Sequence, residues 1–215
     1  IRDRDEPALR TLLERARALG FTGVLIGNLG HLPLVRGLNF HLYGDYGLNV
    51  FNSRSLAYLK DKELESACVS FELRFAQIRD LKKVLRAEAI VYGRLPLMIT
   101  ENCLVQNETG CRLDRQGPCV PEDGPCRCGQ PNVLVDRTGA AFPLLPAYGH
   151  RTEIQNSKPL YLADRPEHRR LGLAYARLRF TTETAEECVS VVQNYLDAAP
   201  AAGDFTRGLY ERGVE

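Results

Sequence analysis

The 215-residue chain is expected to fold as an α/β protein on about five parallel strands, with a cysteine-rich insertion before the last of them. Three observations carry that expectation. Apolar runs that suit strands alternate with amphipathic stretches that suit helices, at a repeat of about 20 residues. After Gly93 the repeat lapses for about eighty residues before it resumes near Leu171. Five of the seven cysteines fall inside that lapse, between Met98 and Cys128.

The elements follow in order. Leu9, Leu12, Leu13, Ala16 and Leu19 share one helical face over residues 5 to 19, with Pro7 in the first turn and Gly20 just past the end. FTGVLIGN (21 to 28) is a short apolar run that suits a strand buried on both faces. FHLYGDYGLNVF (40 to 51) gives a second strand region, and Gly44 and Gly47 predict a kink or bulge in it. Asn52 or Ser53 caps a helix over 54 to 61, and ACVSFEL (67 to 73) is the third strand. Phe75, Ile78, Leu81 and Leu85 mark a helix, and AEAIVYG (87 to 93) the fourth strand. Within the lapse, NVLVDRTGAAFPLL (132 to 145) reads as a hairpin turning near Thr138-Gly139. LGLAYARLRF (171 to 180) is the fifth strand. A helix from about Glu183 to Leu196 follows it, burying Ala185, Cys188, Val189, Val192, Tyr195 and Leu196.

Five βα-type strands are too few to close an eight-stranded barrel and rather apolar for a free-standing open sheet. We therefore expect part of a TIM-type (β/α) barrel, arranged as barrel units over 1–93, a Cys-rich insertion over 94–165, and the last strand, helix and tail over 166–215. Such an arc exposes a sheet edge, so a homodimer or a missing N-terminal half is the expected partner. A start at Ile1, without an initiator Met and already in a helical pattern, fits a piece of something longer.

A formal charge of +1 argues against a protein that coats nucleic acid or an anionic membrane, although a local basic groove is invisible in a sum. No run approaches 18 apolar residues and the N-terminus is charged, which predicts a soluble cytoplasmic protein. In a reducing compartment, clustered cysteines are more often a metal or redox site than a disulfide framework. Thiolates suit both zinc and iron–sulfur clusters, and spacing alone does not choose between them or exclude unpaired thiols. Cys68 and Cys188, on a strand and on the apolar face of a helix, read as core residues.

Active sites of βα barrels gather at the C-terminal ends of the strands. Asn28, Asp45, Asn49, Asn52, Glu72 and Arg94 occupy such positions, with Asp45, Glu72 and Arg94 the catalytic candidates. Each also reads as a cap or turn residue. Glu72 and Arg94 sit at the ends of apolar strands, where they would form a buried pair or grip an anionic substrate. His31 and His41 read as structural. Arg127, Arg137, Arg151, Arg177 and Arg179 would line an RNA groove or lie solvated on the surface. The chain lacks an H-E-x-x-H zinc motif and a G-x-S-x-G elbow.

Several blocks resemble peptidase family U32, the collagenase-like peptidases. They are GDYGLNVFNS (44 to 53), SFEL (70 to 73), EAIVYGRLPLMITENC (88 to 103), LVDRTGAAFPL (134 to 144), RTEIQNSKPLYLAD (151 to 164), RLRFTTE (177 to 183) and FTRGLYERGVE (205 to 215). The resemblance implies one of two activities: proteolysis of collagen-like substrates, or hydroxylation of RNA bases or a quinone precursor by an iron–sulfur enzyme with four cysteine ligands. It also implies that Cys103 and Cys111 are the first two ligands. Some relatives carry a cysteine pair where this chain has Ala147-Tyr148-Gly149-His150. The expected ligand set is therefore Cys103, Cys111, Cys126 and Cys128, with Cys119 and His150 in reserve. The expected cofactor is an iron–sulfur cluster, or zinc in its place. Three functions stay open: an iron–sulfur hydroxylase acting on RNA, a peptidase acting on protein, and a metal-stapled structural half of a larger enzyme. In the peptidase reading, Cys103 would be the nucleophile and His150 its base.

Overall fold

The computed structural model describes residues 5–109, 130–148 and 150–213. In chain order the first elements are α1 (Glu6–Ala18), β1 (Gly23–Ile26), α2 (Leu32–Val35), β2 (His41–Gly44), α3 (Ser53–Asp61), β3 (Leu64–Cys68), α4 (Phe75–Asp80) and β4 (Arg86–Gly93). They are followed by β5 (Pro96–Thr100), α5 (Leu104–Thr109), β6 (Asn132–Val135), β7 (Ala141–Ala147), β8 (Arg151–Gln155) and β9 (Leu160–Tyr161). β10 (Tyr175–Leu178) and α6 (Ala185–Asp197) come last.

The result is a mixed α/β fold with a five-stranded parallel sheet in the order β1-β2-β3-β4-β10, and β9 adds to β4 in antiparallel sense. The pairs β1–β2, β2–β3 and β3–β4 are parallel. β10 runs alongside β4 in the same direction, because Ala174 N–H donates to Ala87 O and Arg179 N–H to Tyr92 O, both advancing together. Strands consecutive in the first half of the chain are neighbours in the sheet, without the reversal of order that marks a doubly wound fold.

The chain divides into two compact units, one formed by Ile1–Val91, Arg165–Arg177 and Arg207–Glu215, the other by Tyr92–Asp164 and Leu178–Thr206. In the first, the apolar positions Ala67 and Cys68 of β3, Ala87, Ala89, Ile90 and Val91 of β4, Leu56 and Leu59 of α3 and Ile78 of α4 are all buried. Tyr210 is buried with them, donates its hydroxyl to Ile90 O and stacks on Phe75 at 5.3 Å between ring centroids. In the second, Tyr92, Tyr161 and Ala163 form a core with Phe180, Val191, Tyr195 and Phe205. A smaller core of Val105, Leu144 and Ile154 lies under the antiparallel sheet β5-β8-β7-β6.

Local chemistry explains most boundaries. Asn52 caps α3, its Oδ1 accepting from the backbone N–H of Arg54 and Ser55 at 3.0 Å each. Substituting Asn52 by Ala is expected to cost about 1 kcal/mol, read as a fall of about 2–4 °C in a thermal melt. The β6–β7 hairpin turns as expected at Thr138-Gly139, where Asp136 Oδ1 accepts from Thr138 and Ala140 N–H. The register slips between Leu42 and Tyr43 in β2, next to the predicted irregularity.

Three expectations need correction. β1 is not buried on both faces: it is the edge strand of the sheet, and Leu25 is 48% exposed. The third strand lies at Leu64–Cys68 rather than 67 to 73, because Glu65 and Ser66 obscure its alternation. Glu65 is accommodated by ion pairs with His41 and Arg86. Helix α6 packs through Val191 and Tyr195, while Val189 and Leu196 are each 70% exposed. The aromatic ring sets that face, since the Tyr195 hydroxyl accepts from Leu162 N–H at 2.8 Å and the ring meets Tyr161 at 5.6 Å.

Candidate active site at the strand ends

In the first unit, strand register assembles a row of polar side chains across the sheet. Gly44 is opposite Ala67, so the next residues, Asp45 and Cys68, stand side by side, and Cys68 is opposite Glu88. Arg177 of β10 crosses to this row. Its Nε and Nη2 donate to the two carboxylate oxygens of Glu88, the second at 3.1 Å, and its Nη1 donates to Asp45 Oδ1. All three charged side chains are at most about a fifth exposed. The guanidinium is held between two carboxylates, which leaves one net negative charge on the row.

The loops at this end are built to hold Asp45 in place. Its Oδ1 also accepts from Tyr46 N–H at 2.8 Å, and its own N–H donates to Ile26 O at 2.8 Å. The 3-10 turn that it opens, Tyr46–Leu48, passes so close to the β1 exit that a Cβ on Gly47 would lie 2.6 Å from Gly27 O. Only glycine fits there. Asn49 closes the turn in the left-handed region at φ 48°, a conformation that asparagine tolerates.

The electrostatics follow from this packing. For Arg177, burial opposes the charge, but the hydrogen bonds it donates to Glu88 and then to Asp45 outweigh that and raise the pKa above the ordinary arginine value. Burial pushes the Cys68 thiol up to about 12, with Arg177 opposing that rise and Glu88 and Asp45 adding to it. Cys68 is therefore a protonated thiol within the core and a poor nucleophile at neutral pH. The row fixes a carboxylate, Asp45, at the exit of β2, where it can accept a hydrogen bond or a proton from a group entering at the strand ends.

The other predicted residues are placed as follows. Asn28 and Asn52 are caps, Asn28 Oδ1 accepting from Gly30 N–H at 2.8 Å. Glu72 stands in the turn after β3, not at the end of a strand, and its N–H donates to Ser70 Oγ at 3.3 Å. Arg94 belongs to the second unit and does not share a unit with Glu72. Its Nη1 donates to the carbonyl oxygens of Asn156, at 3.0 Å, and Ser157, and its Nε donates to Thr182 Oγ1 at 3.4 Å.

Beside Arg94 runs a second network. Arg179 donates to Arg94 O at 2.7 Å, to Gln155 Oε1 at 2.6 Å and to Glu153 Oε1 at 2.7 Å. Gln155, fully buried, donates in turn to Glu153 Oε1 at 2.6 Å. Glu153 thereby ties β8 to the segment that carries Arg179.

Cys103 is half-buried, just before α5, against the core of Val105, Leu144 and Ile154. Thr100 pairs with Thr152 at the end of the β5–β8 ladder, so Cys103 and His150 leave the same end of that ladder. Cys111, Cys119, Cys126 and Cys128 lie outside the described residues. Among the described residues, no group of three or more His, Cys, Asp and Glu is arranged to hold a metal.

Sequence reasoning missed the partnership of Glu88 and Arg177. A signal existed: each is a charge inside a strand of otherwise mostly apolar residues, and a charge removed from water requires a counter-charge.

In this parallel α/β sheet Asp45 stands at the exit of β2, while Glu88 and Arg177 are each the third residue of their strands, β4 and β10. The profile of peptidase family U32 matches residues 1–133, more than half of the chain, and the chain belongs to that family. Neither the curated proteins nor the solved structures gave a match.

Proposed function

We propose that this U32 chain is part of an iron–sulfur enzyme that hydroxylates bases of RNA, with Asp45 at the barrel mouth and the cluster on the cysteine segment. The observation that carries this reading is the density of thiols, five between Met98 and Cys128, in a family member whose Cys103 and His150 leave one end of the same ladder. The donors fit the group: thiolates are the usual ligands of such clusters, and Cys103 is half-buried against apolar side chains that limit solvent access. Cys103, Cys111, Cys126 and Cys128 would hold it, with Cys119 and His150 in reserve. When bound, such a cluster supplies electron transfer.

The scaffold is an arc of a TIM-type barrel, as the consecutive strand order supports. Its edge strand β1 would be covered by a second copy or by an N-terminal half of the barrel. We place the enzyme in the cytoplasm. No helix among the described residues is long and apolar enough to cross a membrane.

Anaerobic purification of the full-length protein, followed by an absorbance spectrum and an iron assay, tests the reading. A coloured, iron-containing protein is expected, with both colour and iron lost on Cys103→Ser or Cys111→Ser. A colourless, iron-free product overturns it, with bound zinc identifying a structural site instead. Hydrolysis of gelatin that survives iron removal but disappears on Cys103→Ala would replace it with a peptidase.

A further inference from the structure

The second unit contains a cavity of about 490 Å³ that the reading above leaves unused, a volume in the range of small-ligand sites. Its apolar lining includes the rings of Tyr92, Tyr161 and Phe205. Tyr161 meets Tyr92 edge-on at 6.4 Å and Phe205 at 6.1 Å between centroids. Around them stand three carboxylates, Glu183, Glu187 and Asp204, the last paired with Lys158 Nζ at 3.1 Å, together with the side chains of Ser190 and Asn194.

One cation, Arg94, also lines the cavity, but its guanidinium is already engaged by the carbonyl oxygens of Asn156 and Ser157 and by Thr182. Glu183 is locked in position: it accepts from the Tyr92 hydroxyl at 3.2 Å and from the N–H groups of Thr181 and Thr182 at 2.7 and 3.0 Å. It therefore presents a fixed negative charge beside an aromatic face. Aromatic faces and carboxylates both attract cations, and anions are repelled by both.

We propose that this cavity binds a cation on an aliphatic stem, the ammonium or guanidinium end of a lysine or arginine side chain or of a free alkyl amine. The stem would lie against Tyr161 and Phe205, and the charge would lie beside Glu183 and Glu187, with Asp204 shared between it and Lys158. The Tyr92 hydroxyl reports the same field. Its pKa is raised, first by burial and next by the charge of Glu183, while Arg94 opposes the rise without reversing it. This site goes beyond the RNA reading, since it selects against phosphate.

The test uses the full chain, with the amide and aromatic signals of Asn194, Ser190, Tyr92 and Phe205 followed by NMR. The probes are n-butylamine, N-acetyl-lysine N-methylamide and butyrate. Saturable shifts with the two cations and none with butyrate are expected. Tighter binding of the lysine amide than of butylamine assigns the site to peptide side chains, and equal binding assigns it to free amines. The double variant Glu187→Gln, Asp204→Asn removes two charges while keeping a residue that can complete the α6 capping box, and is expected to weaken both cations about tenfold. No saturable shift with either cation, equal binding of butyrate, or unweakened binding by a folded double variant overturns the proposal.

Discussion

Replacing Arg177 by methionine is expected to lower the unfolding free energy by about 3 kcal/mol, measured by denaturant titration. The substitution keeps the length of the stem and removes the charge. Glu88 and Asp45 would then face each other as unpaired carboxylates, with side-chain exposures of only 14% and 21%. Removing one member of a well-buried ion group costs about 3–5 kcal/mol because it strands the others, and the partial exposure here places the cost at the low end. Lysine is expected to restore only part of the loss, since one ammonium cannot reproduce the two-oxygen grip on Glu88 and the bond to Asp45 together. The variant Arg177→Met, Glu88→Gln removes the like-charge pair, so its loss is expected to fall short of the sum of the single losses by about 1 kcal/mol or more. If Arg177→Met unfolds within about 0.5 kcal/mol of the parent, the row has no structural role.

How much of this was legible depended on how local each cause is. The cap at Asn52 and the turn at Thr138-Gly139 were readable because the donors and acceptors lie within four residues of one another. Asp45 was readable as a residue at the exit of a strand. The role it plays there was not, because Arg177 lies 132 residues away in sequence. β3 was misplaced because Glu65 and Ser66 look like loop residues until His41 and Arg86 are brought beside them. Glu72 drew its importance from that misplaced strand and is a turn residue. Helix α6 carries aliphatic residues around its circumference, so the expected face rightly held Tyr195 but also took in Val189 and Leu196, which are exposed, and left out Val191. The ring of Tyr195, which needs both a core and an acceptor role, decided the packing. Arg94 was expected to meet Glu72 or an anion and instead holds backbone carbonyls, a partner type that carries no sequence signature.

Substitution of Gly93 by alanine is expected to be the most damaging single change in the second unit, with a cost of about 4 kcal/mol. Gly93 ends β4 at φ +117°, and a Cβ there would lie 2.0 Å from Arg179 O and 3.0 Å from its carbonyl carbon. Those are backbone atoms, and no rotamer change can move them away. Relief requires the segment around Arg179 to shift, which breaks the bond from Arg179 N–H to Tyr92 O at 2.9 Å and withdraws the guanidinium from Arg94 O, Gln155 and Glu153. Strain of about 1–3 kcal/mol adds to roughly 1 kcal/mol for each hydrogen bond lost, and to the cost of leaving the buried Gln155 short of a donor. Gly139 provides the control. It also has a positive φ, +85°, but nothing lies within 4 Å of its would-be Cβ, so Gly139→Ala carries conformational strain alone, about 1 kcal/mol. The difference between the two variants in a denaturant titration isolates the close approach from the dihedral. Hydrogen exchange of the Arg179 amide, protected in the parent by Tyr92, is expected to accelerate in Gly93→Ala and to stay unchanged in Gly139→Ala. Equal losses of stability in the two variants would show that the approach of Arg179 to Gly93 does not hold this unit together.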